Sequence, residues 1–300
     1  MKKLFLISSN AGASEFYFSK SDIKKVYKKY DKEDEIIIAE TKYKGHLEEI
    51  VNDFIKSDYK DKVIILLGGD GSLNEVANLC YGHDIALGLI PTGTGNDFAK
   101  NFDYKYFKIE DTFDINIKAI DLIKINNKYC VNVTSLGFDT EVLLRAYQYL
   151  KKDKSLGKRA YIKAVRDQIF HLTYNNLAMK LTLADNSKIS FKDEFLISAI
   201  CNGSYYGSGF NPAPAGKIDD GIINLVLAKK FPTLFLPSLI LKYKKGKHHS
   251  SKYLSELKVK SGTIKSDNKF LANIDGEIFK ANQIKFEIVP KAINWAYFYK

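Results

Sequence analysis

Residues 66–79 read LLGGDGSLNEVANL, an apolar run that breaks at Gly68-Gly69-Asp70-Gly71 and resumes at once with helical spacing. Ser72 and Glu75 stand as S-x-x-E, the pattern of a capping box, so the spacing predicts a helix that starts at Ser72 with the glycine turn over its N-terminus. Backbone N–H groups and the helix dipole would then converge where an anion can bind. A carboxylate, Asp70, makes sense in such a place if a Mg2+ lies between it and a polyphosphate. A plain strand–turn–helix corner with a solvated Asp explains the stretch equally well when it is taken alone.

A second stretch changes the balance. Residues 91–99 read PTGTGNDFA, again directly after an apolar strand, with Asn96 or Asp97 able to cap the next helix. Two Gly-rich loops that follow adjacent strands, each opening a helix, form a nucleotide cradle more readily than two coincidental turns. No GxxxxGK[ST] is present. AGK at 215–217 lacks it, because Asn211 stands where the first glycine belongs and Ile218 where Ser or Thr belongs. The HRD and DFG set of protein kinases is missing too.

Outward from these loops, strand patterns at 3–8, 35–40, 62–67 and 85–90 alternate with helix patterns at 19–30, 46–57 and 72–81. That alternation predicts a doubly wound, Rossmann-like α/β domain over residues 1–120, whose ligands bind at the carboxyl ends of its parallel strands. Beyond residue 120 strand-like runs dominate: 119–126, 128–135, 177–184, 195–201, 221–228, 263–267, 269–275 and 283–290. They predict a β-sandwich domain over 121–290, interrupted by helical insertions near 140–172 and 232–246. The extreme C-terminus, about 291–300, is expected to pack back onto the first domain.

Three hundred residues with 45% hydrophobic and 27% charged side chains suit a globular chain of two domains. No apolar run approaches the ~18–20 residues that span a bilayer, and MKKLFLIS reads as a first strand, so a cytoplasmic protein is expected. Cys80, Cys130 and Cys201 are odd in number and far apart, which fits buried thiols better than disulfides or zinc. His248 and His249 are adjacent, a poor geometry for joint metal ligation. The net charge of +11 comes from 46 basic residues of which only Arg145, Arg159 and Arg166 are arginines. Lysine reads base edges poorly, so no nucleic-acid partner is expected, while a general attraction to anionic surfaces remains.

The two glycine loops carry a family likeness. GGDGSLNEV (68–76) followed by PTGTGNDFA (91–99) resembles the catalytic domain of the diacylglycerol kinase family, which includes bacterial soluble lipid kinases and sphingosine kinases. GGDG also occurs in NAD kinases, which share the N-terminal fold, but the PTGTGND partner is far more specific to the lipid kinases. NGSYYGSGFNPAPAGKIDDGIINLVL (202–227) resembles the family's glycine-rich and Asp-Gly segments, and NIDGE (273–277) its late DGE motif. KGKHH (245–249) is similar to a family G-x-H, so the likeness runs from about residue 8 to residue 277.

The resemblance implies an NAD kinase-like α/β domain followed by a β-sandwich, with the active site in the cleft between them. It implies ATP- and Mg2+-dependent phosphorylation of a lipid hydroxyl, with diacylglycerol the first acceptor and phosphatidic acid the product. Carried over residue by residue, Gly68, Gly69, Asp70, Gly71, Ser72, Asn74 and Glu75 line the ATP phosphates. Gly93, Thr94, Gly95 and Asn96 contact the nucleotide, as does Thr41 after the second strand. Asp70 holds the catalytic Mg2+ through phosphate or water, and Glu277 is the general base that takes the lipid hydroxyl proton. Lys217, Asp220 and Ile222 hold a structural Mg2+, partly through backbone oxygens, while Asp219 faces the active site in a network with Asp121. From spacing alone, KIDDGI (217–222) and NIDGE also read as ordinary turns.

One departure stands out. The family's first strand ends in Asn-Pro-x-x-Gly, whereas this chain has Ser8-Ser9-Asn10-Ala11-Gly12. Ser9, Asn10 and Gly12 keep the nucleotide-side loop, but a preset proline φ is lost. Other acceptors (a sphingoid base, another glycerolipid, NAD) and a non-catalytic lipid- or nucleotide-binding regulator on the same fold stay open, as does a homodimer. The segment 231–246, FPTLFLPSLILKYKKG, reads either as a helix lying on a membrane surface or as one packed on the sandwich, with Pro237 kinking or breaking it. Tyr161, Ile162 and Lys163 fall where a lipid approach surface is expected, with Lys163 placed to neutralise phosphate.

Overall fold

A computed structural model describes residues 1–8, 18–93, 95–157, 159–247 and 251–298. The chain begins with strictly alternating elements: β1 (Lys2–Ile7), α1 (Lys20–Lys29), β2 (Ile36–Glu40), α2 (His46–Lys56), β3 (Lys62–Gly68), α3 (Asp70–Cys80) and β4 (Ile85–Pro91). A true capping box starts α1: the Asp22 N–H donates to Ser19 Oγ at 3.2 Å and the Ser19 N–H to the Asp22 carboxylate at 2.9 Å. Helix α2 turns Leu47, Val51 and Phe54 inward, the i, i+4, i+7 stripe of an amphipathic helix. Strands β3 and β4 read as unbroken apolar runs because a parallel strand is covered on both faces; Val63 to Leu67 are all buried.

Two 3₁₀ turns, Phe98–Asn101 and Ile109–Phe113, lead from β4 to β5 (Asn116–Ile125). There follow β6 (Lys128–Cys130), β7 (Val133–Gly137), α4 (Phe138–Lys152), α5 (Arg159–Gln168), β8 (Asn175–Leu183), β9 (Lys188–Cys201), β10 (Ile223–Lys229), α6 (Leu236–Lys244), β11 (Leu254–Ile274) and β12 (Glu277–Tyr297). The chain divides into two compact units, Met1–Ile120 with Lys291–Lys300, and Asp121–Pro290, so the boundaries fall inside β5 and β12.

In the first unit β1 to β4 pair in parallel in the order β2-β1-β3-β4, and β4 meets β12 in parallel at Asn294 and Trp295, with β5 also pairing with β12. Trp295 is fully buried, edge-on to Phe98 at 5.2 Å and stacked on Phe102 at 5.5 Å. In the second unit the pairings are antiparallel and close on themselves: β8 with β9, β9 with β10, β10 with β11, and β11 with β8. β7 joins β9 and β11, and β12 joins β11, giving a sandwich-like body. Its larger apolar cluster includes Leu177, Met179, Leu181, Phe195, Leu225, Val259 and Phe286. A second cluster gathers α4, α5 and α6 against β7, β9 and β10 through Phe138, Ala160, Ala164, Leu196, Val226 and Leu239.

Several sequence expectations change. Helix α3 starts at Asp70 rather than Ser72, and Gly69, its N-cap, makes no side-chain cap bond, so Ser72 and Glu75 form no capping box. The second glycine loop opens only a four-residue 3₁₀ turn, which Asp97 does not cap with its side chain. The expected strand 128–135 is broken at Val131-Asn132, because those amides are taken by a carboxylate described below. The runs 263–267 and 269–275 are one long strand, β11, with a register shift between Lys265 and Phe270. Pro237 does not break α6; it sits in the first helical turn, where its missing N–H costs nothing. The strand expected from Gly221 begins at Ile223, since Gly221 turns at φ 71°. No helix among the described residues is long and apolar enough to cross a membrane.

Candidate active site

The expected nucleotide residues of the first unit gather at one edge of its sheet. Registers Ile7↔Glu40, Ile7↔Leu67 and Gly68↔Pro91 bring the carboxyl ends of four strands level, so Ser8, Thr41, Gly68-Gly69 and Thr92-Gly93 follow side by side. This is the edge where open parallel sheets bind ligands. The two glycine loops touch backbone to backbone: the Thr92 N–H donates to the Gly68 carbonyl at 3.0 Å. A Cβ on Gly93 would lie 2.5 Å from Gly69 Cα, a distance that no side chain permits. Ser8 Oγ and Ser72 Oγ are 3.2 Å apart, tying the end of β1 to the first turn of α3.

The first i→i−4 bond of α3 runs from the Leu73 N–H to the Gly69 carbonyl. The amides of Gly71 and Ser72 therefore precede the helical ladder and carry the positive end of the dipole. Gly71 opens onto free space, where a Cβ would meet nothing within 4 Å. Thr92 Oγ1 and Asn96 Oδ1 are buried with no hydrogen-bond partner among the described residues. A polyphosphate against these loops would meet the Gly71 and Ser72 amides, with room for its oxygens beside Gly71. Glu75 stands one turn further along α3, where desolvation and the nearby Glu48 raise its carboxyl above the ordinary range.

Asp70 has a task the sequence did not disclose. Its Oδ2 accepts the Asp97 N–H at 3.0 Å and its Oδ1 the Phe98 N–H at 3.1 Å. The carboxylate supplies the N-terminal cap of the 3₁₀ turn, which the Asp97 side chain leaves uncapped, and so clamps the second loop to the first. Asp97 instead pairs with Lys100, and Asn96, at φ 49°, donates from Nδ2 to the Gly93 carbonyl at 2.7 Å. Of the other expected nucleotide residues, Ser9, Asn10, Gly12 and Thr94 lie outside the described residues, as do His248 and His249.

In the second unit, Asp275-Gly276 is the two-residue turn joining β11 to β12, with φ 47° and 95°. Positive φ at both centres is the hairpin geometry that favours Asp-Gly, so the turn reading of NIDGE is correct as far as the backbone goes. Almost every group of the motif is engaged inward. The Asp275 carboxylate accepts N–H bonds from Val131 at 2.7 Å, Asn132 at 3.1 Å and Val133 at 2.9 Å. Burial pushes its carboxyl up, and those amides pull it back. Asn273 Nδ2 donates to Ser135 Oγ at 2.7 Å and Thr140 Oγ1 at 2.9 Å, and Tyr147 Oη donates to the Gly276 carbonyl at 3.0 Å. Glu277 alone points outward, about two-thirds exposed, with Lys128 Nζ 2.9 Å away.

A second acidic group is built around KIDDGI. Asp121 is fully buried; its Oδ2 accepts the Gly221 N–H at 2.7 Å and its N–H donates to the Ile218 carbonyl at 2.7 Å. Asp220 Oδ1 accepts the Ile222 N–H at 3.0 Å. Desolvation raises the Asp220 carboxyl, and the charges of Asp121 and Asp219 add to the rise. The structure thus brings Asp121, Asp219 and Asp220 together. Among the described residues no three His, Cys, Asp or Glu side chains form a metal-holding group. A cation here would rest on one carboxylate and the backbone oxygens of Lys217 and Ile222, an oxygen-only set that suits a hard ion and would relieve the crowded negative charge.

Sequence reading missed one further group. Asp139, in the first turn of α4, accepts from Tyr206 Oη at 2.7 Å, and Tyr206 Oη lies 3.1 Å from Tyr243 Oη. Desolvation pushes the Asp139 carboxyl up to about 6. A lone FD dipeptide carries no signal for such a network.

Residues 2–125 match the diacylglycerol kinase catalytic domain, and residues 132–297 match the YegS C-terminal NAD kinase beta sandwich-like domain. The chain is 28% identical over 253 residues to a probable lipid kinase YegS-like of Shewanella frigidimarina (strain NCIMB 400), covering 81% of this chain and 79% of that one. A probable lipid kinase YegS-like of Yersinia enterocolitica serotype O:8 / biotype 1B (strain NCTC 13174 / 8081) is 28% identical over 246 residues, covering 77% of each. The crystal structure of a diacylglycerol kinase from Bacillus anthracis str. Sterne superposes with a TM-score of 0.69 at 18% identity, covering 100% of this chain and 97% of that one. At that identity the likeness is one of fold.

Proposed function

The chain belongs to the diacylglycerol kinase family in its YegS-like lipid kinase branch, and on that premise we propose that it transfers the terminal phosphoryl group of ATP to a lipid hydroxyl, with diacylglycerol as acceptor. The observation that carries the reading is the contact between the two glycine loops at the carboxyl edge of the parallel sheet. Phosphoryl transfer asks for positioning and charge neutralisation more than for covalent chemistry. The Gly71 and Ser72 amides and the bare Gly69–Gly93 contact supply a backbone cradle for phosphate oxygens.

Asp70 keeps the second loop in place through the Asp97 and Phe98 amides. It would hold a catalytic Mg2+ through phosphate or water, and Asp220 with the Lys217 and Ile222 carbonyls would hold a structural one. Bound Mg2+ supplies neutralisation of the charge on the phosphates. Glu277 accepts the proton of the attacking lipid hydroxyl, and Lys128 orients its carboxylate. Asp275 and Asn273 fix the turn that carries it. Asp219 and Asp121 stand beside Asp220 in the second acidic group.

The test is ATP consumption against diacylglycerol, sphingosine, phosphatidylglycerol and NAD, with and without Mg2+. Turnover is expected with diacylglycerol and Mg2+ alone. Glu277→Gln is expected to lower kcat by about 10²–10⁴-fold while leaving thermal stability nearly unchanged, because the side chain is exposed. Turnover on another acceptor would replace diacylglycerol, and no turnover on any of them would overturn the kinase reading.

A further inference from the structure

The helical layer of the second unit has two sides with opposite characters. Inward, α5 and α6 bury Ala160, Ala164, Leu236 and Leu239 in the cluster over β7, β9 and β10. Outward, the layer carries Leu234 at 86%, Phe170 at 80%, Ile162 at 71% and Leu241 at 59% exposure. Among the described residues these are the only large aliphatic or Phe side chains more than half exposed. A scatter of exposed leucines needs no explanation, but concentration of all of them in one layer does.

Their spacing is regular. Ile162, Arg166 and Phe170 fall at i, i+4 and i+8 along α5 and just past its end, on one face. Leu234 and Leu241 are seven residues apart, across from the buried Leu236, Leu239 and Tyr243. Lys230 Nζ lies 5.6 Å from the Tyr174 ring, which sets the approach to α6 beside the segment leaving α5.

Charge says what the layer meets. From Gly221 to Ser255 the chain has seven lysines and no Asp or Glu. Lys229 and Lys230 pair with Asp193 and Glu194. Lys242, Lys244, Lys245 and Lys247 make no ion pair among the described residues. Apolar side chains flanked by lysines on flexible stems match the boundary of an anionic bilayer, where the chains enter the acyl region and the ammonium groups reach headgroups. A second copy of the same face would set lysines against lysines.

We propose that the outer face of α5 and α6, with the 3₁₀ turn at Thr233–Phe235, docks the protein onto an anionic lipid surface. The site deepens the lipid-kinase reading, on which its purpose rests, while its geometry stands independently.

The test is co-sedimentation of the full chain with phosphatidylcholine vesicles, with or without an equal share of phosphatidylglycerol, and with an RNA arm. Binding is expected only to the mixed vesicles. The variant Phe170→Ser/Leu234→Ser/Leu241→Ser is expected to bind them at least about tenfold more weakly, and Lys242→Glu/Lys245→Glu at least about tenfold more weakly. Both should keep the wild-type melting temperature and the wild-type rate on a dispersed short-chain diacylglycerol. Undiminished vesicle binding by the serine variant would overturn the proposal, as would wild-type indifference to phosphatidylglycerol or RNA binding as tight as vesicle binding. If no acceptor is phosphorylated yet the variants still lose vesicle binding, the kinase reading fails and the docking surface stands.

Discussion

Asp70 shows how much a single carboxylate can be asked to do. Removing both of its acceptors by Asp70→Ala leaves two amides unsatisfied, at a cost of about 1–3 kcal/mol that thermal unfolding would register. Asp70→Asn keeps one acceptor, so it should be the more stable of the two while losing the Mg2+-dependent part of nucleotide affinity. Equal loss of affinity with and without Mg2+ would leave Asp70 a clamp only. Asp139 offers a pH test. Its folded-state value, about 6, lies above the ordinary 3.8, so the folded state holds the proton more tightly than the unfolded chain. That contribution is complete below about pH 4 and is lost as pH rises through about 6, on the order of 2–3 kcal/mol. Asp139→Asn should flatten the fall in stability across that window relative to wild type. Residues of this kind are hard to read in a sequence. GGDG announces a turn and a charge, but not that the charge reaches 27 positions ahead to cap another turn.

Among elements, the short loops are the least tolerant. Gly93→Ala would force a Cβ to 2.5 Å from Gly69 Cα, and backbone cannot yield as a side-chain tip can. We expect a loss of about 1–3 kcal/mol and a weaker nucleotide complex, read by thermal unfolding and nucleotide titration. The strands and helices themselves were legible, because their periodicities are dictated by burial: VIILL is apolar throughout since both of its faces are covered, and Leu47, Val51 and Phe54 repeat because only one face of α2 is. What was not legible came from partners distant in sequence. The break after Cys130 arises from Asp275, whose carboxylate takes the Val131 and Asn132 amides. In sequence the DGE motif fits both a turn and a catalytic group. The fold makes the Asp-Gly pair a turn and sets Glu277 facing outward beside Lys128, and the Glu277→Gln variant tests the catalytic role proposed for it.

For the whole molecule, the largest fact is topological. The second unit is inserted into the first, between Ile120 and Lys291. Trp295 closes the first unit by packing on Phe98, whose amide Asp70 holds, and on Phe102. Trp295→Ala should cost about 3–5 kcal/mol and weaken nucleotide binding from the far end of the chain, a coupling that titration of the variant would reveal. During synthesis this order has a cost in time. The strand beside β4 is made some two hundred residues after β4 itself, so a ribosome that has already released every glycine of the nucleotide loops still carries an unfinished sheet. The apolar flank of β4 must wait, shielded by chaperones or by transient contacts, until residues 291–298 emerge to cover it.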